Sequence, residues 1–137
     1  MAFNVKSLGS LLGKDARSLI PKDAKLLASS DHPAAVHVDP KYNVPLLAAG
    51  YHEDVFDLDG DGEGDVVRRN FGDSVGLEFK DKSGDRLLAY ANPRATKGES
   101  DAPERIFYTV ANIGSEQKFE ADYDGDGKAD ATLTKPR

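Results

Sequence analysis

The chain has 137 residues, 39% apolar and 31% charged, with a formal net charge of −6. Such a length and balance suit one soluble globular domain with its own core, and exclude a fibrous or disordered chain. Cysteine is absent, which excludes disulfides, cysteine-based zinc sites and thiol nucleophiles. The negative balance argues against nucleic acid as a main partner.

In chain order, residues 1–30 are expected to form a helical N-terminal segment, and residues 31–137 a β-rich domain packed with it. Val5, Leu8, Leu11, Leu12, Leu19 and Ile20 recur near helical spacing. Gly9 and Gly13 weaken that helix, Pro21 breaks it, and a second short helix is expected over Asp23–Ser29. The segment reads as an amphipathic cover for a sheet, with a partner-binding or targeting arm as the alternative. Lys14 and Asp15 interrupt any apolar run of signal-peptide length, and no stretch reaches the roughly 20 apolar residues of a membrane span. The expected location is outside the cell or at its surface, by a route without a visible signal peptide. The cytoplasm is the alternative.

Pro33, Pro40 and Pro45 mark an irregular connection with one edge strand at Ala35–Val38. From Tyr51 the texture becomes short strands between turn residues. Expected strands are Asp54–Asp57, Gly64–Arg69, Val75–Lys80, Arg86–Ala91, Arg105–Asn112, Lys118–Asp122 and Lys128–Thr134. A polar loop spans Asn92–Pro103. Tight turns are expected at Asp81–Asp85 and Asn112–Ser115. In the last strand, Ala129, Ala131 and Leu133 alternate with Asp130, Thr132 and Thr134, which suits one buried face.

Two nine-residue loops carry the chemistry. Asp57-Leu-Asp59-Gly-Asp61-Gly-Glu63-Gly-Asp65 and Asp122-Tyr-Asp124-Gly-Asp126-Gly-Lys128-Ala-Asp130 both satisfy D-x-D-x-D-G-x-x-D. They hold nine of the 24 acidic residues and one of the 18 basic ones, so the remainder carries fifteen acids against seventeen bases. The acidity therefore belongs to the loops, and so many carboxylates together cost Coulomb energy unless a cation joins them. Calcium takes six to eight oxygens in flexible geometry. One ion is assigned Asp57, Asp59, Asp61, Asp65 and the Glu63 carbonyl. The other is assigned Asp122, Asp124, Asp126, Asp130 and the Lys128 carbonyl. The glycine at position 6 permits the sharp turn. Magnesium demands tighter octahedral geometry, while zinc and copper prefer nitrogen or sulfur. An EF-hand needs Glu at position 12, where this chain has Arg68 and Leu133. The bland alternative is a pair of acidic turns, since Asp and Gly favour turns anyway.

Asp57–Asp65 followed by Val66-Val67 and Asn70-Phe71-Gly72 resembles the VCBS and FG-GAP repeats of integrin alpha chains and bacterial surface proteins. The second loop, with Ala129-Asp130-Ala131, is similar, and the two start 65 positions apart. The resemblance covers residues 53–80 and 118–134, about a third of the chain. It implies calcium loops between strands and a role in adhesion. No Gly-Ala-Pro element precedes either loop, and two repeats cannot close a propeller. The expected fold is therefore mainly β, a small antiparallel sheet or sandwich with an N-terminal helical segment, pinned by two calcium ions.

Other candidates are weaker. His32, His37 and His52, with Asp31, Asp39 and Asp54, suggest a second metal site or an acid–base pair, but fit no metal-ligand spacing. The glycines around Asp61 lack the Lys of a phosphate loop. Arg68-Arg69 and the Arg94/Lys97 loop are expected to be solvated or paired with acids. Tyr90, Phe107, Tyr108 and Phe119 suggest an aromatic sugar-binding face or, at strand spacing, a core. The sequence thus points to a non-enzymatic calcium-binding module that meets a protein or glycan surface. An intracellular calcium sensor or buffer is the alternative, and a hydrolase of glycan or cell wall a more distant one.

Overall fold

Period-two patterning runs through most of the chain, and among the described residues of the computed structural model it becomes ten strands. The structure describes residues 3–38, 40–43, 45–48, 50–72, 74–91 and 105–137. The strands are β1 (Lys25–His32), β2 (Ala35–Val38), β3 (Pro45–Ala48), β4 (Tyr51–Asp57), β5 (Val66–Phe71), β6 (Ser74–Lys80), β7 (Arg86–Ala91), β8 (Ile106–Ile113), β9 (Glu116–Ala121) and β10 (Ala131–Pro136). Eight form one open antiparallel sheet in the order β1-β4-β5-β6-β7-β8-β9-β10, while β2 and β3 pair as a separate hairpin. From β4 onward the sheet is a meander, so successive connections alternate between its two ends. The β4–β5 loop, the β6–β7 turn and the β8–β9 turn share one end. The β9–β10 loop lies at the other.

One face of the sheet is apolar at its centre. Val66 pairs with Phe79, Phe79 with Leu87, and Leu77 with Ala89, and all five are buried. An open sheet must cover such a face. Here the N-terminal residues do so: Val5, Leu11, Leu12 and Ala16 are buried in the same cluster, with Phe3, Leu8, Leu19 and Ile20 packed against it.

The cover is not the expected helix. Among the described residues the helical elements are two 3-10 turns, Val5–Leu8 and Ala16–Ser18, joined by an extended strap. Asn4 and Asp15 accept the Lys6 and Arg17 backbone N–H groups, which starts each turn. Gly9 and Gly13 take φ of 63° and 78°, values that end a helix locally. The expected helix over Asp23–Ser29 is also overturned. Lys25–His32 is strand β1, paired with β4 along its length, so tertiary pairing overrides the helix propensity of Ala24-Lys-Leu-Leu-Ala28. A boundary at residue 30 would therefore cut a strand.

The other strands fall within a few residues of expectation, and Arg86–Ala91 coincides. Ala35–Val38 is an edge strand with the expected bounds, in the two-stranded β2–β3 sheet. The last strand has no buried face. It is the sheet's final strand, and Leu133 is 60% exposed. The polar loop at Asn92–Pro103 lies outside the described residues. No described helix is long and apolar enough to cross a membrane.

Because Leu11 is 2% exposed, Leu11→Ala should cost about 2–5 kcal/mol in denaturant unfolding. A loss below about 1 kcal/mol would show that the strap is not part of the core.

Candidate metal centres

The first loop joins β4 to β5 and the second joins β9 to β10, so each is entered and left by paired strands. Their hydrogen bonds match position by position. At position 1, Asp57 Oδ1 accepts the Gly60 N–H at 2.8 Å and Oδ2 the Gly62 N–H at 2.8 Å. Asp122 does the same with Gly125 at 2.9 Å and Gly127 at 2.8 Å. At position 5, Asp61 Oδ1 accepts the Glu63 N–H and Asp126 Oδ1 the Lys128 N–H. The position 9 carboxylates, Asp65 and Asp130, accept the N–H of position 2, Leu58 and Tyr123, at 2.8 and 2.7 Å. Their own N–H groups donate to the residue preceding each loop, Phe56 and Ala121.

Glycines at position 4, Gly60 and Gly125, take φ of 79° and 76°, and those at position 6 take 84° and 88°. This left-handed backbone points successive N–H groups at the first Asp. The sequence reading used only the position 6 glycine. The repeated glycine at position 4 was the available signal for the other.

As a result, one carboxylate oxygen from each of Asp57, Asp59, Asp61 and Asp65 lies within 4.8 Å of the others, and likewise for Asp122, Asp124, Asp126 and Asp130. All eight expected carboxylates are thus gathered, four and four. The donors are all oxygen and the groups acidic, which fits a hard divalent cation. Asp57 and Asp122 are buried at the floor, 3% and 1% exposed. N–H bonds, from Gly62 first, hold the Asp57 carboxyl down to about 2, so it stays ionised. Burial pushes Asp65 up, and the charges of Asp59, Asp61 and Asp57 add to the shift. At Asp124 the Asp126 N–H lowers the pKa, but sharing with Asp122, burial and repulsion from Asp126 and Asp130 leave it raised. The backbone offsets part of the repulsion, and the remainder favours a cation.

The β6–β7 turn gives a contrast. Asp81 Oδ1 accepts the Ser83 and Asp85 N–H groups, and Oδ2 accepts the Val5 N–H at 2.9 Å. Its donors are the Ser83 hydroxyl and three backbone N–H groups, one of them from the strap. Beside it, Lys82 Nζ lies 3.0 Å from Asp61 Oδ2 and places a competing cation at the first loop.

The histidines separate. His52 Nδ1 lies 2.7 Å from Asp31 Oδ1, and Nε2 lies 3.0 Å from Asp54 Oδ1 and 2.9 Å from Ser29 Oγ. The Asp–His–Ser connectivity resembles a nucleophile relay. Yet Ser29 donates to Asp54 at 2.7 Å, and an imidazole between two carboxylates is favoured as imidazolium, whereas a general base must start neutral. His32 instead stacks on Tyr51 at 4.5 Å. The His37 side chain and Asp39 lie outside the described residues.

The arginines are paired: Arg68 with Asp54, and Arg69 with Glu53 and Glu78. Arg94 and Lys97 lie outside the described residues. The four aromatics do not form one face. Tyr90 and Tyr108 stack at 4.7 Å, with Phe119 6.1 Å from Tyr108. Phe107 sits at a register shift, buried against Gly125 of the second loop.

The Asp31 hydrogen bond raises the His52 pKa above 6.5 against the cost of desolvation, and Asp54 adds to the rise. A raised folded value means this contribution to stability is complete below pH 6.5 and fades as pH climbs through the folded pKa. NMR titration should place the His52 midpoint above 6.5, and Asp31→Asn should lower it. A midpoint at or below 6.5 would refute the pairing.

Comparison of the chain with protein-family models, with curated proteins and with solved structures finds no match.

Proposed function

We propose that this chain is a non-enzymatic calcium-binding module whose two sites brace the sheet for adhesion to, or binding of, a protein or glycan surface. The observation that carries it is the repeated loop, with the same hydrogen-bond pattern gathering four carboxylates twice. Asp57, Asp59, Asp61 and Asp65 with the Glu63 carbonyl would hold one ion. Asp122, Asp124, Asp126 and Asp130 with the Lys128 carbonyl would hold the other. Calcium fits a set of hard oxygen donors on a curled backbone better than magnesium, which keeps its waters, or zinc, which seeks nitrogen and sulfur. The strand-flanked loops support a likeness to VCBS and FG-GAP calcium loops, although one continuous sheet departs from separate propeller blades. Abundant extracellular calcium suits such a brace.

A calcium sensor inside the cell is the second reading, favoured by the direct contacts between both loops and the N-terminal strap. Near-millimolar affinity fits the brace, and micromolar affinity the sensor.

Isothermal titration should give two calcium equivalents, with Asp61→Ala and Asp126→Ala each losing one. In the same titrations Lys82→Ala should tighten the first site about two- to fivefold, the size of an exposed ion pair, and leave the second unchanged. Absence of binding, or both equivalents surviving in either Asp variant, would refute the assignment.

A further inference from the structure

The strap runs between the two loops. At one end of the sheet, the Phe3 N–H donates to Asp59 Oδ2 at 2.8 Å, and Asp59 is position 3 of the first loop. Two residues on, the Val5 N–H is held by Asp81 in the neighbouring turn. At the opposite end, the Gly13 N–H donates to the Ile106 carbonyl at 2.9 Å, and the Ile106 N–H to the Lys14 carbonyl at 3.0 Å. There the Gly13 backbone lies against Gly127, position 6 of the second loop, so closely that an added Cβ would overlap the Gly127 Cα. Both ends of residues 3–14 are therefore seated on a candidate metal loop or its immediate neighbour.

Between its ends, an open pocket of about 240 Å³ borders the strap, with Val5, Leu11, Leu87, Ala111 and Lys118 in its wall. Gly9, where the strap arches with φ of 63°, also borders it. Val5, Leu11 and Leu12 are buried along the strap, and the loop contacts hold its two ends.

The loop shapes that seat the strap are the shapes that gather the carboxylates. Gly127 meets Gly13 with φ of 88°, the same left-handed turn that aims its N–H at Asp122. Asp59 meets Phe3 with the carboxylate that also closes the first site. A splayed first loop withdraws Asp59, and an uncurled second loop removes the Gly127 seat.

We propose that the N-terminal strap couples the two calcium sites: filling one loop seats one end of the strap, which favours the seated shape of the other loop, while emptying both releases the strap from the apolar face. The coupling rests on the calcium sites proposed above. It is reciprocal, as any linkage between two binding equilibria must be. Each ion biases the same two states, strap down and strap released.

Hydrogen exchange on the unaltered protein at zero, one and two calcium equivalents tests the release. The amides of Val5 and Gly13 should exchange at least about tenfold faster without calcium than with two equivalents. Titration of Asp126→Ala tests the coupling: the first site should weaken about fivefold or more, although it lies at the other end of the sheet. Phe3→Pro, which removes the N–H donated to Asp59 without touching a ligand, should weaken the second site in turn. Two bound equivalents with unchanged exchange at Val5 and Gly13, and an unaltered first site in Asp126→Ala, would overturn the coupling and leave the calcium sites standing. Absence of calcium binding would overturn both.

Discussion

Like charges held close together set the terms for this molecule. Eight aspartates stand in two groups of four, with oxygens within 4.8 Å of one another. Backbone N–H groups meet part of that charge, most completely at Asp57 and Asp122, which are buried at the loop floors. The other carboxylates have fewer donors; burial, with repulsion added, raises Asp65, and sharing with Asp122, burial and repulsion leave Asp124 raised. Asp81 shows the other solution. Its oxygens face backbone N–H groups, one of them from the strap, so a hydrogen-bonded turn takes the place of a gathered carboxylate cluster.

The rest of the fold follows from where those loops sit. A meander places the β4–β5 and β9–β10 connections at opposite ends of the sheet. The face between them is apolar through Leu77, Phe79, Leu87 and Ala89, and a single sheet has no second layer to cover it. A strap without regular secondary structure along most of its length serves instead. It is anchored by polar contacts at its ends and by a few buried side chains between. Loop shape, strap position and core burial are therefore linked, and whatever fixes the loops also protects the core.

The strands and the loops were legible in the sequence for different reasons. Arg86–Ala91 is a short, largely apolar run bounded by turn residues, so its strand could be placed to the residue. The loops were legible because ligand spacing is imposed by the geometry of a small ion and survives any fold. The first thirty residues were misread because local signals conflict there with pairing partners distant in sequence. Ala24–Ala28 has helical composition, yet β4 lies more than twenty residues away and captures it as β1. Val5, Leu11 and Leu12 show helical spacing, yet Gly9 and Gly13 take positive φ and the segment breaks into short turns rather than a continuous helix. Burial was foreseen for these residues even though the element was not. The His52 pairings with Asp31 and Asp54 needed the β1–β4 register, which a misread helix could not supply.

Thermal unfolding in calcium at a hundredfold excess over the titrated Kd, against excess chelator, addresses the central claim most directly. At a hundredfold excess over Kd, each filled site adds about 2.7 kcal/mol, and two sites about 5 kcal/mol. For a chain of this length that corresponds to a rise in Tm of about 10 °C or more. Superimposable melting curves in calcium and in chelator would contradict the account.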